Sequence, residues 1–101
     1  MANARIGNSI YIDSTGTVTG STEKNVLVSY VIVTATAASA ILKLEDPSIT
    51  VNNIKLDLRV ATSGATQVFD FSTTPVVFPN GVAVDTITNA TAMVVLKSAG
   101  G

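Results

Sequence analysis

The sequence predicts an all-β domain, a small antiparallel β-sandwich of jelly-roll-like type with about eight strands. The clearest observation is the segment 54–60, in which Ile, Leu, Leu and Val alternate with Lys, Asp and Arg. Side chains alternate between the two faces of a strand, so this pattern predicts one buried face and one wet face. The 101 residues also include 14 Val, 14 Thr and 8 Ile, whose branched side chains favour sheets.

The first half of the chain contains the longest predicted strand. Residues 5–12 alternate in part, and the turn-forming residues 13–16 follow them. Residues 26–35 are apolar at nearly every position, which is typical of a strand covered on both sides. We expect residues 40–45 to form the next strand, because the Asp-Pro pair that follows it breaks regular structure. On the long strand, alternation divides the apolar residues into two sets: Val26, Val28, Tyr30 and Ile32 on one face, and Leu27, Val31 and Val33 on the other.

The second half contains shorter strands separated by frequent turn signals. Asn80-Gly81 predicts a tight turn, since both residues accept positive φ. The last strand is again apolar on both faces, with Val94 and Leu96 opposed by Met93 and Val95. Turn signals recur about every 8–12 residues, a spacing typical of sandwiches and barrels. The predicted strands are 49–51, 54–60, 67–71, 76–78, 82–87 and 92–96.

We interpret residues 1–101 as a single domain, as the length suggests. Residues 1–22 are a candidate extended N-terminal arm that reaches another copy, because a polar stretch follows residues 5–12. Residues 98–101 are a short tail. An immunoglobulin-like sandwich is the alternative to the jelly roll. The first residues lack the basic and apolar regions of a signal peptide.

The composition indicates that part of the surface is hidden in an assembly. Charged residues make up 13% of the chain, against about 25% in an average soluble domain. Two predicted strands are apolar on both faces, although the outer face of a sandwich is normally wet. We therefore expect a homo-oligomer, with these candidate interface residues: Val26, Val28, Val31, Val33, Met93 and Val95.

Little in the sequence favours catalysis or ligand binding. The chain has no His and no Cys, which removes the usual general base, the thiolate nucleophile and the usual zinc ligands. Its carboxylates, such as Asp57, Asp70 and Asp85, fit wet strand faces better than a catalytic pair. We expect no enzyme activity, no catalytic, cofactor-binding or metal site, and no cofactor. The six basic residues are scattered and no apolar run is long enough to span a bilayer, so neither nucleic acid nor membrane is an expected partner.

The chain resembles the small virion structural proteins of tailed bacteriophages. The resemblance covers residues 26–97 and rests on four segments: Leu56-Asp57-Leu58-Arg59, Phe69-Asp70-Phe71, Phe78-Pro79-Asn80-Gly81-Val82 and the apolar strand ending at Leu96-Lys97. It implies a jelly-roll-like decoration (cement) protein, a homotrimer that stabilises a capsid, or a similar tail or knob subunit. Its expected partners are the major capsid protein or other virion proteins, and its expected location is the virion, assembled in the host cytoplasm. The family has no catalytic residues to transfer.

Two other functions stay open on the residues alone. Jelly rolls also bind glycans, so a carbohydrate-binding module is possible, with Tyr11 as its exposed aromatic residue. The three phenylalanines, Phe69, Phe71 and Phe78, are expected to fill one end of the core. A small hydrolase is the weakest hypothesis, because its remaining candidate groups are carboxylates alone.

Overall fold

The computed structural model describes residues 3–17, 24–46 and 54–97, which form two facing antiparallel sheets and contain no helix. The predicted all-β sandwich is therefore confirmed. The predicted strand 49–51, the tail 98–101 and part of the proposed arm lie outside the described residues. The strands are β1 (Ala4–Ile6), β2 (Ser9–Ile12), β3 (Gly16–Thr17), β4 (Val26–Ala35), β5 (Ala40–Glu45), β6 (Ile54–Val60), β7 (Thr66–Asp70), β8 (Val76–Phe78), β9 (Ala83–Thr88) and β10 (Ala90–Leu96).

The strand order is that of a jelly roll. One sheet runs β1-β2-β10-β4-β7, with β8 also paired to β4, and the other runs β3-β9-β5-β6. Among the eight main strands, β2 pairs with β10, β3 with β9, β4 with β7 and β5 with β6. These four pairs are the ones that a long antiparallel hairpin would form. In the jelly roll this hairpin is wrapped around the core, so that β10 also pairs with β4 and β9 with β5. The two additions to this scheme are β1 and β8.

The core lies between the sheets and consists of aliphatic side chains around Phe78. Strand β5 contributes every second residue, so that Leu42 and Leu44 are fully buried while Lys43 between them is not. Strand β6 follows the predicted alternation, with Leu58 and Val60 buried and Ile54 exposed at its start. Burial of such apolar surface is the main force that holds two sheets together.

A β-bulge at Ser29 corrects the predicted faces of β4. Val95 is paired with Tyr30 but Leu96 is paired with Val28, so Ser29 is the extra residue. The bulge shifts the alternation by one position, because two residues of β4 oppose one of β10. The backbone carbonyl of Ser29 accepts a hydrogen bond from the N–H of Phe71 at 2.7 Å. As a result, one face of β4 supplies the core on both sides of the bulge: Val26, Val28, Val31, Val33 and Ala35.

The N-terminal segment is a hairpin in this chain, which contradicts an extended arm over residues 4–12. Strand β2 pairs with β10, and its Ile10 and Ile12 are buried in the core. Gly7 has a φ of 59°, which lets the chain reverse between β1 and β2. The turn after β2 is held by Asn3, whose Oδ1 accepts hydrogen bonds from the N–H groups of Asp13 and Ser14.

The Asn80-Gly81 turn exists, but it joins strands of different sheets. Gly81 has a φ of 98° and its N–H donates to the carbonyl of Phe78 at 3.2 Å. Asn80 does not have a positive φ, so the turn is not the two-residue hairpin that the dipeptide favours. Asp46 fixes the turn from the end of β5, since its Oδ2 accepts hydrogen bonds from both the backbone and the side chain of Asn80.

Ser39 and Asn89 adopt left-handed backbone conformations at two of the places where the chain crosses between the sheets. Ser39 precedes β5 with a φ of 60°, and Asn89 lies between β9 and β10 with a φ of 53°. The side-chain amide of Asn89 donates to the carbonyl of Ala38 at 3.1 Å, so the two crossings are joined. Asn tolerates this conformation better than Ser does, which makes Ser39 the more strained of the two.

Replacing Ser39 by Gly should raise the free energy of unfolding by about 0.5–1 kcal/mol, because Gly adopts positive φ without strain. The matched control is Ser63→Gly, in a turn where φ is not positive. That variant should lose about 0.5 kcal/mol, since Gly makes the unfolded chain more flexible. Urea denaturation measures both changes, and an equal loss in the two variants would contradict the expectation.

Asp46→Ala should lower the free energy of unfolding by about 1–3 kcal/mol, because the half-buried Asn80 loses the buried carboxylate that accepts both of its hydrogen bonds. Asp85→Ala is the control: this exposed carboxylate accepts a hydrogen bond from its neighbour Thr86, and we expect a change below about 0.5 kcal/mol. Thermal and urea denaturation should rank the two variants in this order. Similar losses would show that Asp46 does not hold the turn.

Candidate functional site

The outer face of the four-stranded sheet is charged and wet. Lys43 on β5 is paired with Asp57 on the edge strand β6. Asp57 also forms an ion pair with Arg59, in which Nε and Oδ1 are 3.1 Å apart. Lys55, Asp57 and Arg59 are exposed. This face is the ordinary solvent side of a sandwich, as the alternation in β6 predicted.

The outer face of the six-stranded sheet is different, because apolar side chains occupy it across four neighbouring strands. In one row, Tyr11 is paired with Met93, Met93 with Ile32, and Ile32 with Val68. In the next row, Val95 is paired with Tyr30. Residues paired across strands present their side chains on the same face. We call this surface the apolar face: Tyr11, Tyr30, Ile32, Val68, Met93 and Val95.

Charge is confined to the margin of the apolar face. The second row continues from Tyr30 to Asp70 on β7, the one charged residue in the two rows. The tyrosines, Ile32 and the two β10 residues are only half-buried, although they cover one another, and Val68 is 55% exposed. A connected apolar surface of this kind is typical of contact sites. The apolar face is therefore the candidate functional site.

The structure separates the predicted interface residues into two groups. Val26, Val28, Val31 and Val33 are at most 6% exposed and lie in the core, so no partner reaches them in this fold. Met93 and Val95 lie on the apolar face, as the alternation of β10 predicted. The bulge at Ser29 explains why the four valines of β4 are buried: it turns both valine pairs inward and leaves Tyr30 and Ile32 on the outer face. The sequence analysis placed Tyr11 on the surface, but the predicted interface did not include these other members of the apolar face: Tyr30, Ile32 and Val68.

A basic cleft of about 220 Å³ lies beside the β1–β2 hairpin and the adjoining ends of β4 and β10. Arg5, Lys24, Lys97 and Asn8 line it, over an apolar floor. The Nε of Arg5 donates to the carbonyl of Gly7 at 2.8 Å. All three cations are exposed, so water and salt screen them and isolated contacts to them contribute little. This cleft is a weaker candidate than the apolar face.

A second cleft, of about 230 Å³, lies where β5 begins and β6 ends, and it has few polar side chains. Its polar side chains are those of Ser39 and Arg59, and Arg59 is held by Asp57. Within residues 3–17, 24–46 and 54–97, no three His, Cys, Asp or Glu side chains are grouped as a metal site would require. A ligand site normally combines a concave surface with several converging polar groups. This cleft has no such convergence among the described residues.

The aromatic residues divide between the core and the apolar face. Phe78 is fully buried, and Phe69 and Phe71 pack against the core while half-buried, which agrees with the predicted aromatic end of the core. Tyr11 and Tyr30 lie on the apolar face on either side of β10. Tyr11 is half-buried rather than fully exposed.

Two exposed carboxylates have lowered pKa values. The hydrogen bond from Arg59 is the main reason that the pKa of Asp57 falls below its ordinary value, and the charge of Arg59 adds to it. The pKa of Asp70 is lowered by hydrogen bonds from Ser72, first from the side chain and then from the backbone N–H, which donates at 2.8 Å. Asp70 is therefore ionised near neutral pH, and its charge stays at the margin of the apolar face.

Comparisons with models of known families, with curated proteins and with solved structures found no match. The described part of the chain has no helix that is long and apolar enough to cross a membrane. The choice of the apolar face as the candidate site is therefore based on the geometry and chemistry of the described residues.

The pKa of Asp57 should rise toward its ordinary value in the Arg59→Gln variant, because the hydrogen bond and the nearby charge are removed. A lowered folded-state pKa stabilises the fold above the unfolded pKa, and this contribution is lost as the pH falls through the lowered value. Carboxyl NMR titration measures the pKa directly. Lys55→Gln, on the same strand, is the control and should leave it nearly unchanged. If the pKa of Asp57 were unchanged in Arg59→Gln, Arg59 would not be the cause of its lowered value.

Proposed function

We propose that the protein is a non-enzymatic structural subunit of a bacteriophage virion, an oligomeric decoration or cement subunit that stabilises the head. The apolar face is the observation that carries this proposal. A structural subunit works by holding neighbouring proteins together, and an apolar surface that lies outside the core is the means of doing so. The resemblance of residues 26–97 to small phage virion proteins is our reason for proposing that the assembly is a virion.

The contrast between the two outer faces supports an assembling role. The chain places Lys43, Lys55, Asp57 and Arg59 on one sheet, while the apolar face of the other sheet has Asp70 only at its margin. A protein that worked as an isolated monomer would gain solubility from charges on both faces. The jelly-roll topology agrees with this role, since capsid proteins use it, although lectins and enzymes use it as well.

The test is whether the protein is part of the particle. Virions are purified from cultures in which the chain is made, heads and tails are separated, and each fraction is quantified by mass spectrometry. We expect many copies in the head fraction. Recovery in the tail fraction alone would favour the alternative, a tail or knob subunit of the same virion. Absence from purified virions would contradict both forms of the proposal.

A carbohydrate-binding module is the second candidate, and the position of Tyr11 and Tyr30 favours it. Both rings lie on the apolar face, where an aromatic surface can stack against a sugar. Glycan-array binding measures this directly, with Tyr11→Ala and Tyr30→Ala as the test variants. Binding that both substitutions abolish would support this function. We expect no glycan to bind, because an assembling subunit covers this face with protein.

A further inference from the structure

We propose that the apolar face packs against the same face of a second copy, so that two chains form a two-fold symmetric dimer. The inference rests on the proposed function, names the partner of the apolar face, and replaces the homotrimer that the resemblance implies with a two-fold assembly. In such a dimer the two six-stranded sheets would stack face to face, as the sheets within one sandwich do.

The size of the outer face suits a dimer. The six strands of this sheet contain 32 residues in all. At about 4.8 Å between strands and about 3.3 Å per residue, the flat area is roughly 500 Å². Side-chain relief increases the accessible area above this value, toward the roughly 800 Å² per partner of a standard interface. A footprint of this size fits one whole domain better than a small ligand.

Among the described surfaces of this chain, the apolar face is the best match for itself. The other outer face would bring Lys43, Asp57 and Arg59 into the contact and strip them of water, which is costly. A face-to-face contact avoids this cost, because apolar rows meet apolar rows. An isologous contact also closes after two copies and leaves the charged sheets outside.

The centre and the margin of the contact follow from the strand order. Strand β10 is the third of the five strands in the main path, so Met93 and Val95 lie at the centre, with Tyr30 and Ile32 beside them. Asp70 is on the edge strand β7, two strands or about 10 Å away from β10. There its charge stays hydrated, as charged residues do at the rim of an interface.

The experiment compares two isoleucines in equivalent positions. Ile32 and Ile41 are both half-buried on the outer face of an inner strand, Ile32 on the six-stranded sheet and Ile41 on the charged one. Sedimentation velocity of the wild type should give twice the chain mass of 10.3 kDa. Ile32→Lys should raise the dimer dissociation constant by about tenfold or more, whereas Ile41→Lys should leave it within about twofold.

Val95→Thr keeps the experiment decisive if Ile32→Lys does not fold. Thr has nearly the same shape, suits a strand and carries a hydroxyl in place of one methyl, so the monomer should keep its far-ultraviolet circular dichroism while the dimer weakens. A monomeric wild type, a trimer, or a dimer that weakens with Ile41→Lys instead would overturn the two-fold contact. A monomer that is nevertheless found in virions would overturn this inference and leave the proposed function standing.

Discussion

The extra residue at Ser29 is the constraint on which the rest of the structure depends. Strand β4 pairs with β10, β7 and β8, so its side-chain alternation determines which residues of the six-stranded sheet point inward. Without a bulge, Val26 and Val28 would face the core while Val31 and Val33 faced outward. The bulge places all four in the core and puts Tyr30 and Ile32 outside. The same shift therefore completes the core and forms the apolar face.

The outer faces of the two sheets differ in chemical character because of this arrangement. The four-stranded sheet follows simple alternation. Its outer face has charged side chains of both signs, and Asp57 and Arg59 among them form an ion pair. The six-stranded sheet has aliphatic side chains on its inner face and a mixture of tyrosine, methionine and aliphatic residues on its outer face. Large flexible and aromatic side chains of this type are enriched at the centres of protein interfaces. The centre of the six-stranded sheet's outer face thus lacks charge, while charged residues lie on the four-stranded sheet and at the margins of the six-stranded one.

Local pattern predicted the bounds of four strands, β4, β5, β6 and β8, and the bounds of β7 and β9 to within one residue. The pairing between strands that are distant in the sequence could not be predicted from local pattern. Which residue of β4 is extra depends on its partner β10, more than 60 residues later, although the lone polar Ser29 within an apolar run was a signal. The Asn80-Gly81 dipeptide specified a turn but not the sheets that it joins. For the same reason, the sequence identified Met93 and Val95 as outward-facing but not Tyr30 or Ile32.

The most direct test of the apolar face is the solvent exposure of Ile32 and Ile41 in the wild-type protein. With isotope-labelled Ile methyl groups, NMR in the presence of a soluble relaxation agent measures how far each methyl is open to solvent. As the protein concentration is raised, we expect the broadening of Ile32 to fall while that of Ile41 stays constant. Equal broadening of both methyl groups at every concentration would contradict the central claim, that one sheet is made to be covered and the other to stay wet.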